Sequence, residues 1–432
     1  MSNVDNKTVN QQIDQLYRSH FGKMVAWLLY FSKDIQLERA EDIVQDAFAS
    51  SLIAWQKDGM PQNPPGWIFK VCRNKAINQI RDKKKILHTN GQIHDPFVDY
   101  EISETILDDQ QLQLLFACAH PDLSPKAQVV ITLKYIASLK VEAIANVLGM
   151  TIDGVDKLLS RSRQKIREER IMLELPSKSK LGERLPIVHK IIYLIFNEGY
   201  KSSSGKELLR EELCEDALLL TKELIDKNLG NNETLALYSL MLFNAARFKA
   251  RFGPAGEIKD LEEQDRSQWD KKLILMGCHY LERSKGEVIS SFHYEATIAY
   301  FHSRETHFRD TNWQAITQLY LQLMQINASP FIELNYAIAL YYAGQKPQAI
   351  QKLHELEQRA LLNQYYLLNA SLGKIYFNEG NLDRAKSYYL KTLHQTNFQV
   401  EKDYISKMID KIEARQNGTQ RKSGETEWRT TG

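Results

Sequence analysis

Residues Gly66–Lys85, Gly-Trp-Ile-Phe-Lys-Val-Cys-Arg-Asn-Lys-Ala-Ile-Asn-Gln-Ile-Arg-Asp-Lys-Lys-Lys, admit one regular structure. Ile68, Val71, Cys72, Ala76 and Ile80, with Phe69 at the margin, recur at steps of three and four and draw an apolar seam along a helix. Pro64-Pro65-Gly66 cannot lie in a helix interior and so mark its start. The opposite face carries Lys70, Arg73, Asn74, Lys75, Asn78 and Arg81, then Lys83-Lys84-Lys85 against the single acid Asp82, with Trp67 in the first turn. Such a rod offers cations to phosphates, amides to base edges and an aromatic ring for stacking. An ordinary amphipathic helix with a solvated basic face would show the same pattern. A second basic helix farther along decides between them.

The remainder of the chain has to accommodate this helix. At 432 residues it holds two or three domains. Gly and Pro are scarce and no stretch alternates apolar with polar residues, so the expected fold class is all-α. The most apolar run, Ile187–Phe196, is short and broken by His189 and Lys190, which excludes a membrane span. Met1–Gln12 is polar and lacks the apolar core of a signal peptide, so a soluble cytoplasmic protein is expected. Cys72, Cys118, Cys214 and Cys278 are widely spaced, and Cys118-x-His120 alone supplies too few ligands; neither disulfides, metal nor cofactor is expected. The net charge of +2 says little, but its distribution is informative. Bases gather in Arg73–Lys85 and Lys157–Arg170 and acids in Asp95–Asp109, the segregation of a chain that meets nucleic acid at defined patches. No nucleophile–base pair or phosphate loop suggests an enzyme, and no catalytic residue is assigned.

In chain order, Val9–Phe31 is helical, and Gln36–Trp55 follows with the stripe Ala40, Ile43, Val44, Ala47, Phe48 and Leu52. Its other side presents Glu41, Asp42, Gln45 and Asp46; acids there also suit the positive end of a helix dipole. Lys57–Pro65 is a loop, and the opening helix completes a three-helix domain over residues 8–86. Residues 87–109 read as an acidic linker. Residues 110–172 form a second helical domain, in which Ser124 is placed to cap a helix begun by Pro125. Leu139–Leu148, the turn Gly149-Met150-Thr151, and Ile152–Arg170 make a helix-turn-helix with Val155, Leu159 and Ile166 inward. Its second helix offers Lys157, Ser160, Arg161, Arg163, Gln164, Lys165 and Arg167 to a groove. After a short connector, Glu174–Gly182, residues 183–414 read as helical hairpins. Gly344 and Ala349 recur as Gly380 and Ala385, and Leu372-Gly373, Tyr376, Ala385 and Tyr389 fall on a tetratricopeptide-like pattern. Residues 415–432 read as a disordered tail.

Together, residues 8–170 resemble the extracytoplasmic-function sigma factors, the small sigma-70-related initiation factors of bacterial RNA polymerase. Ala40-Glu41-Asp42-Ile43-Val44-Gln45-Asp46-Ala47-Phe48 is similar to the signature of sigma region 2 that docks on the β′ clamp helices. The resemblance implies polymerase contacts at Asp42, Gln45 and Asp46, and a partner in core RNA polymerase through its β′ clamp and β subunits. Trp67-Ile68-Phe69, Arg73-Asn74, Asn78 and Arg81 resemble the part of region 2 that recognises and opens the minus-ten element. That implies promoter DNA contacts at Trp67, Arg73, Asn74, Asn78, Arg81, Lys83 and Lys84. Leu139–Arg167 resembles region 4, the minus-thirty-five reader, implying contacts at Lys157, Ser160, Arg161, Arg163 and Arg167. Asp156 and Leu158 near the start of that helix leave Lys157, Arg161 and Arg163 as the candidates for base contact. Tyr193-Leu194-x-Phe196-Asn197-Glu198-Gly199-Tyr200 and Gln264-Asp265-Arg266-Ser267-x-Trp269-Asp270 resemble blocks of the subgroup with a tetratricopeptide-like C-terminal extension. In that subgroup the extension takes part in control, which implies a protein or peptide partner there. The rival expectation is a helix-turn-helix regulator with a sensing repeat that never meets polymerase. An exposed Asp42-x-x-Gln45-Asp46 face separates the two, since a plain repressor has no use for it.

Overall fold

The computed structural model describes residues 3–32, 34–86, 104–169, 171, 176–202, 209–363, 365–396 and 398–427, with the side chains of 3–8, 82–86, 104–106, 178–179, 360, 363 and 418–427 outside that set. The protein is all-α, and its described residues form two compact units, 1–230 and 231–432. Most of the acidic stretch 87–109 lies outside the described residues.

The first unit begins with a three-helix bundle of α1 (Asn3–Phe31), α2 (Leu37–Asp58) and α3 (Pro64–Ile86). Phe21, Met24, Val25 and Leu28 of α1 are buried with Ile43, Val44 and Ala47 of α2 and Ile68, Cys72 and Ala76 of α3. These are the seams drawn by helical spacing, and burying them is what holds the bundle. Leu52, placed on the α2 stripe by its spacing, is instead exposed at the margin. The α3 start is built by Asn63, whose Oδ1 accepts the Gly66 amide at 3.0 Å, while Pro64 and Pro65 occupy positions that need no donor.

The next helices are α4 (Glu104–Cys118), α5 (Pro125–Tyr135), α6 (Val141–Leu148) and α7 (Ile152–Glu168). The Ser124 hydroxyl accepts from the Ala127 amide at 3.3 Å, with Pro125 in the first turn of α5. Between α6 and α7 the chain turns through Gly149 at φ 61°, a left-handed conformation that costs glycine nothing. Thr151 then caps α7 by accepting the Gly154 amide at 3.1 Å, and Val155 and Leu159 are buried beneath. Local turn chemistry therefore explains the helix-turn-helix.

Two further helices, α8 (Lys178–Tyr200) and α9 (Glu211–Asp226), fall in the same unit. Ile191, Ile192, Ile195 and Phe196 of α8 are fully buried, and the Arg184 guanidinium donates to the Phe116 carbonyl of α4 at 2.7 Å. Gly199 lets the pair cross closely: a Cβ there would stand 2.7 Å from Cys214 Sγ and 2.8 Å from the Arg210 carbonyl. Helix α8 also takes in the second half of the Glu174–Gly182 connector.

The second unit runs α10 (Asn232–Ala245), α11 (Lys271–Arg283), α12 (Ser291–Arg304), α13 (Trp313–Ile326), α14 (Pro330–Tyr342), α15 (Lys346–Glu357), α16 (Ala360–Asn363), α17 (Tyr366–Asn378), α18 (Leu382–Gln395) and α19 (Gln399–Glu427). The repeated glycines do one job twice. Gly344 (φ 89°) turns α14 into α15, and Gly380 (φ 77°) turns α17 into α18. Ala349 and Ala385 are fully buried one turn into the second helix of each hairpin, beside Leu340 and Tyr376. Helix α19 continues through most of 415–432, where the polar composition reads as unstructured. A polar segment without an apolar seam is unreadable as helix from periodicity.

The segment between α10 and α11 is strapped down by polar contacts. Arg266 donates to the carbonyls of His302 and Glu305, both at 2.9 Å, and to Thr311 Oγ1 at 3.2 Å. Arg247 and Arg266 flank the buried Trp269 ring at 5.4 and 5.1 Å. Asp270 caps α11, accepting from the Lys272 and Leu273 amides at 2.8 and 3.1 Å. The polar motif around Trp269 thus holds helices together.

Candidate nucleic-acid interface

Helix α2 separates its residues by face. Its apolar side is sunk in the bundle, while Asp42, Gln45 and Asp46 are exposed. Asp42 lies 3.9 Å from Arg39 and Asp46 lies 3.8 Å from Lys75, both weak solvent-facing pairs that a partner can displace at little cost. Gln45 is different, because its amide donates to Glu41 Oε1 at 3.1 Å.

On α3, Asn74, Asn78 and Arg81 are exposed at steps of four and three, one continuous polar row. Arg73 is half-buried beside that row. Trp67 is half-buried too, its ring meeting Trp55 edge-on at 5.5 Å between centroids, so part of the ring belongs to the bundle. Lys83 and Lys84 carry side chains outside the described set.

Helix α7 distributes its cations over two flanks. Ser160 and Arg161 are exposed, as is Lys157, which reaches back to Asp153 at 2.7 Å. Arg163 faces the three-helix bundle. Its Nε donates to the Tyr135 hydroxyl at 2.7 Å and its Nη2 to Glu41 Oε2 at 2.9 Å. Arg167, one turn on, lies 3.4 Å from Glu38 of α2. Of the candidate DNA contacts on α7, two are therefore engaged with α2 in this structure.

Glu41, which helical spacing places on the exposed side of α2, is instead buried, and its partners Lys134 and Tyr135 have no role in the sequence reading. Glu41 is only 8% exposed, with Oε1 also 3.0 Å from Lys134 Nζ and Oε2 accepting from the Tyr135 hydroxyl at 3.0 Å. Tyr135 is fully buried, and burial first, then the Glu41 charge, pushes its pKa well above that of an ordinary tyrosine. It stays protonated and can donate to Glu41. The only sign in the sequence is an acid within Ala40–Phe48, and helix dipoles explain such acids without any partner.

Among the described residues there is no cluster of three His, Cys, Asp or Glu able to hold a metal, and no helix long and apolar enough to cross a membrane. Neither observation adds a functional group to the two basic helices.

Comparison with known proteins bears on both halves of the first unit. Residues 16–86 match the family model of sigma-70 region 2, and residues 113–166 match that of sigma-70 region 4. Residues 184–285 match a family of unknown function, DUF6596. An uncharacterized protein of Rhizobium meliloti (strain 1021), R00370, is 27% identical over 401 residues, covering 90% of this chain and 93% of its own. Two Bacillus subtilis (strain 168) proteins match part of the chain. The ECF RNA polymerase sigma factor SigW is 24% identical over 152 residues, 31% of this chain and 76% of its own. The RNA polymerase sigma factor YlaC is 23% identical over 180 residues, 40% of this chain and 96% of its own. No solved structure matches the chain significantly. With sigma-70 regions 2 and 4 present in order, the first part of the chain has the two-region make-up of an extracytoplasmic-function-type sigma factor, and a DUF6596 segment follows it.

Proposed function

We propose that this sigma factor binds core RNA polymerase through Asp42, Gln45 and Asp46 and directs it to particular promoters in the cytoplasm. The observation that carries the reading is the α2 surface. These three polar residues face solvent together, while Ala40, Ile43, Val44, Ala47 and Phe48 behind them are buried. A DNA-binding regulator that never meets polymerase has no use for such a face, and this weighs against that rival.

In this reading α3 handles the downstream promoter element. Arg73, Arg81, Lys83 and Lys84 hold phosphates, Asn74 and Asn78 approach bases, and the open edge of Trp67 stacks on an unpaired base. Helix α7 enters a major groove at the upstream element with Lys157, Ser160 and Arg161, joined by Arg163 and Arg167 when these leave α2. Opening the duplex needs no covalent chemistry; the cost of unstacking, a few kcal/mol, is met by stacking and phosphate contacts. The second unit acts in control. Its α11–α13 face contains a groove of about 690 Å³ lined by Leu281, His293, Tyr294, Tyr300 and Phe301, a suitable seat for a protein or peptide partner.

Run-off transcription with core polymerase and genomic promoter fragments tests the central claim. Discrete, promoter-dependent transcripts that require the added protein are expected. Tight promoter binding with no transcript, at any polymerase concentration, would instead select the polymerase-independent regulator.

A further inference from the structure

Glu41 joins two parts of the first unit that the proposed function sends to different DNA sites. Its carboxylate has four donors. Oε1 faces Lys134 Nζ at 3.0 Å and accepts from Gln45 Nε2 at 3.1 Å; Oε2 accepts from the Tyr135 hydroxyl at 3.0 Å and from Arg163 Nη2 at 2.9 Å. Lys134 and Tyr135 close α5, Arg163 belongs to α7, and Glu41 with Gln45 belongs to α2. A buried carboxylate is tolerable only while its donors stay in place. Two cations and two neutral donors supply that here.

A second observation is steric and independent of charge. Gly22, in the middle of α1, lies against the end of α5 so closely that a Cβ would stand 2.5 Å from the Ile136 carbonyl oxygen and 2.9 Å from that of Tyr135. Any other residue at this position would have to push the two helices apart. Backbone therefore meets backbone at the same junction where Glu41 collects its donors.

We infer that these contacts form a latch holding region 4 against region 2 in the free protein, and that capture of Gln45 by polymerase releases it. The inference rests on the reading of α2 as the polymerase-binding face. While the latch is shut, Arg163 is spent on the buried Glu41 and turned toward α2, away from a DNA groove, and Arg167 adds only an exposed pair with Glu38 at 3.4 Å. Gln45 is the link between the two events. It stands with Asp42 and Asp46 in the polymerase-facing set, and it also gives its amide to Glu41. A partner that engages all three takes one donor from the buried carboxylate, which weakens its hold on Arg163 and Lys134. The arginines then turn to phosphates and base edges. Arrival of polymerase and exposure of the full recognition helix become one coupled equilibrium.

The test uses the full chain with spin labels on Ile53→Cys in α2 and Lys126→Cys in α5, both exposed positions, in a Cys278→Ser background whose other cysteines are buried. Distances between labels are read by pulsed electron resonance for this parent, for Glu41→Gln, and for Gly22→Leu. The last variant keeps every charge and adds a better helix former, so it opens the junction without touching the ion pairs. One short distance is expected in the parent. In both variants the population at longer distances should rise by roughly tenfold or more, with a comparable gain in affinity for upstream-element duplex in the absence of polymerase. Core polymerase added to the parent should lengthen the distance likewise. Identical distance distributions in all three proteins, with and without polymerase, would overturn the latch even if all of them transcribe. Distances that respond to both substitutions in proteins that never support transcription would uphold the latch and overturn the sigma reading on which its polymerase trigger depends.

Discussion

Helices α3 and α7 are the two basic rods of this protein, and by composition they look interchangeable. Their surroundings make them different. The polar row of α3, Asn74, Asn78 and Arg81, points to solvent and is available as it stands. On α7, Arg163 is bound to the buried Glu41 of α2 and Arg167 is paired with Glu38 at the surface, while Lys157, Ser160 and Arg161 are exposed. A basic side chain on a helix is thus a candidate DNA contact only after its intramolecular partners have been counted. Arginine suits both uses, since the fork that grips a guanine or phosphate also grips a buried carboxylate.

The strongest way to separate the two helices is to remove what supports only one. Cutting the chain after Arg170 deletes α8 and α9 and with them the buried Ile191, Ile192, Ile195 and Phe196. At about 1.5–3 kcal/mol per side chain, that loss rivals the stability of a whole domain. Amide exchange should show α5 and α7 unprotected and α1–α3 still protected, whereas a chain ending at Gly230 keeps both. Undiminished protection of α7 in the shorter form would show that the hairpin is dispensable.

Charge reversal at Asp42 and Asp46 comes next in size. Association with core polymerase should weaken by roughly tenfold or more with no change in melting temperature, because both side chains are exposed. Unchanged co-purification would detach α2 from polymerase and remove the reason for treating its neighbours α3 and α7 as a pair.

Within α7 the two arginines should part company. Arg161→Ala should cost about 1–3 kcal/mol of duplex affinity with little effect on melting. Arg163→Ala should cost about 1–3 kcal/mol of folded stability, since it leaves Glu41 and Tyr135 short of a donor. Calorimetry beside duplex titration reads both, and equal losses of stability in the two variants would erase the distinction between the flanks.

The smallest effect concerns Lys157. Asp153→Ala removes an exposed pair worth no more than about 0.5 kcal/mol, so melting should hardly move. Freed of Asp153, Lys157 should steepen the salt dependence of duplex binding by about one counterion. A salt slope identical to that of the parent would place Lys157 away from the phosphates.

How much of this was legible in the sequence depended on how far apart the interacting residues lie. The Ser124-Pro125 cap, the Gly149 turn and the Thr151 cap each act within a few residues, and composition is enough to place the first two. Helical periodicity puts Asp42, Gln45 and Asp46 on the exposed side of α2, as found, but it puts Glu41 there too, and Glu41 is buried. Glu41 could not be read this way. Its partners Tyr135 and Arg163 are 94 and 122 positions away, and an acid near a helix start already has an explanation. The allegiance of α8 and α9 was hidden for a related reason, because a helical hairpin rich in Leu and Ile looks the same whichever neighbour buries it. Periodicity identifies a buried face but not what buries it.

The hairpin α8–α9 has a consequence for how such chains can be rearranged. A module moves between proteins intact only if it takes its own core along, and this hairpin shares its core with α4 and α5. The segment matched by DUF6596, residues 184–285, straddles Gly230, beginning in one unit and ending in the other. It is therefore a splice between two folded bodies and not a cassette appended to a finished one. Grafting this extension onto another sigma factor directly after region 4 would deliver two helices with no cradle to receive them. A recipient would need surfaces equivalent to those of α4 and α5, which means that the extension and the sigma portion it serves must be inherited as a set.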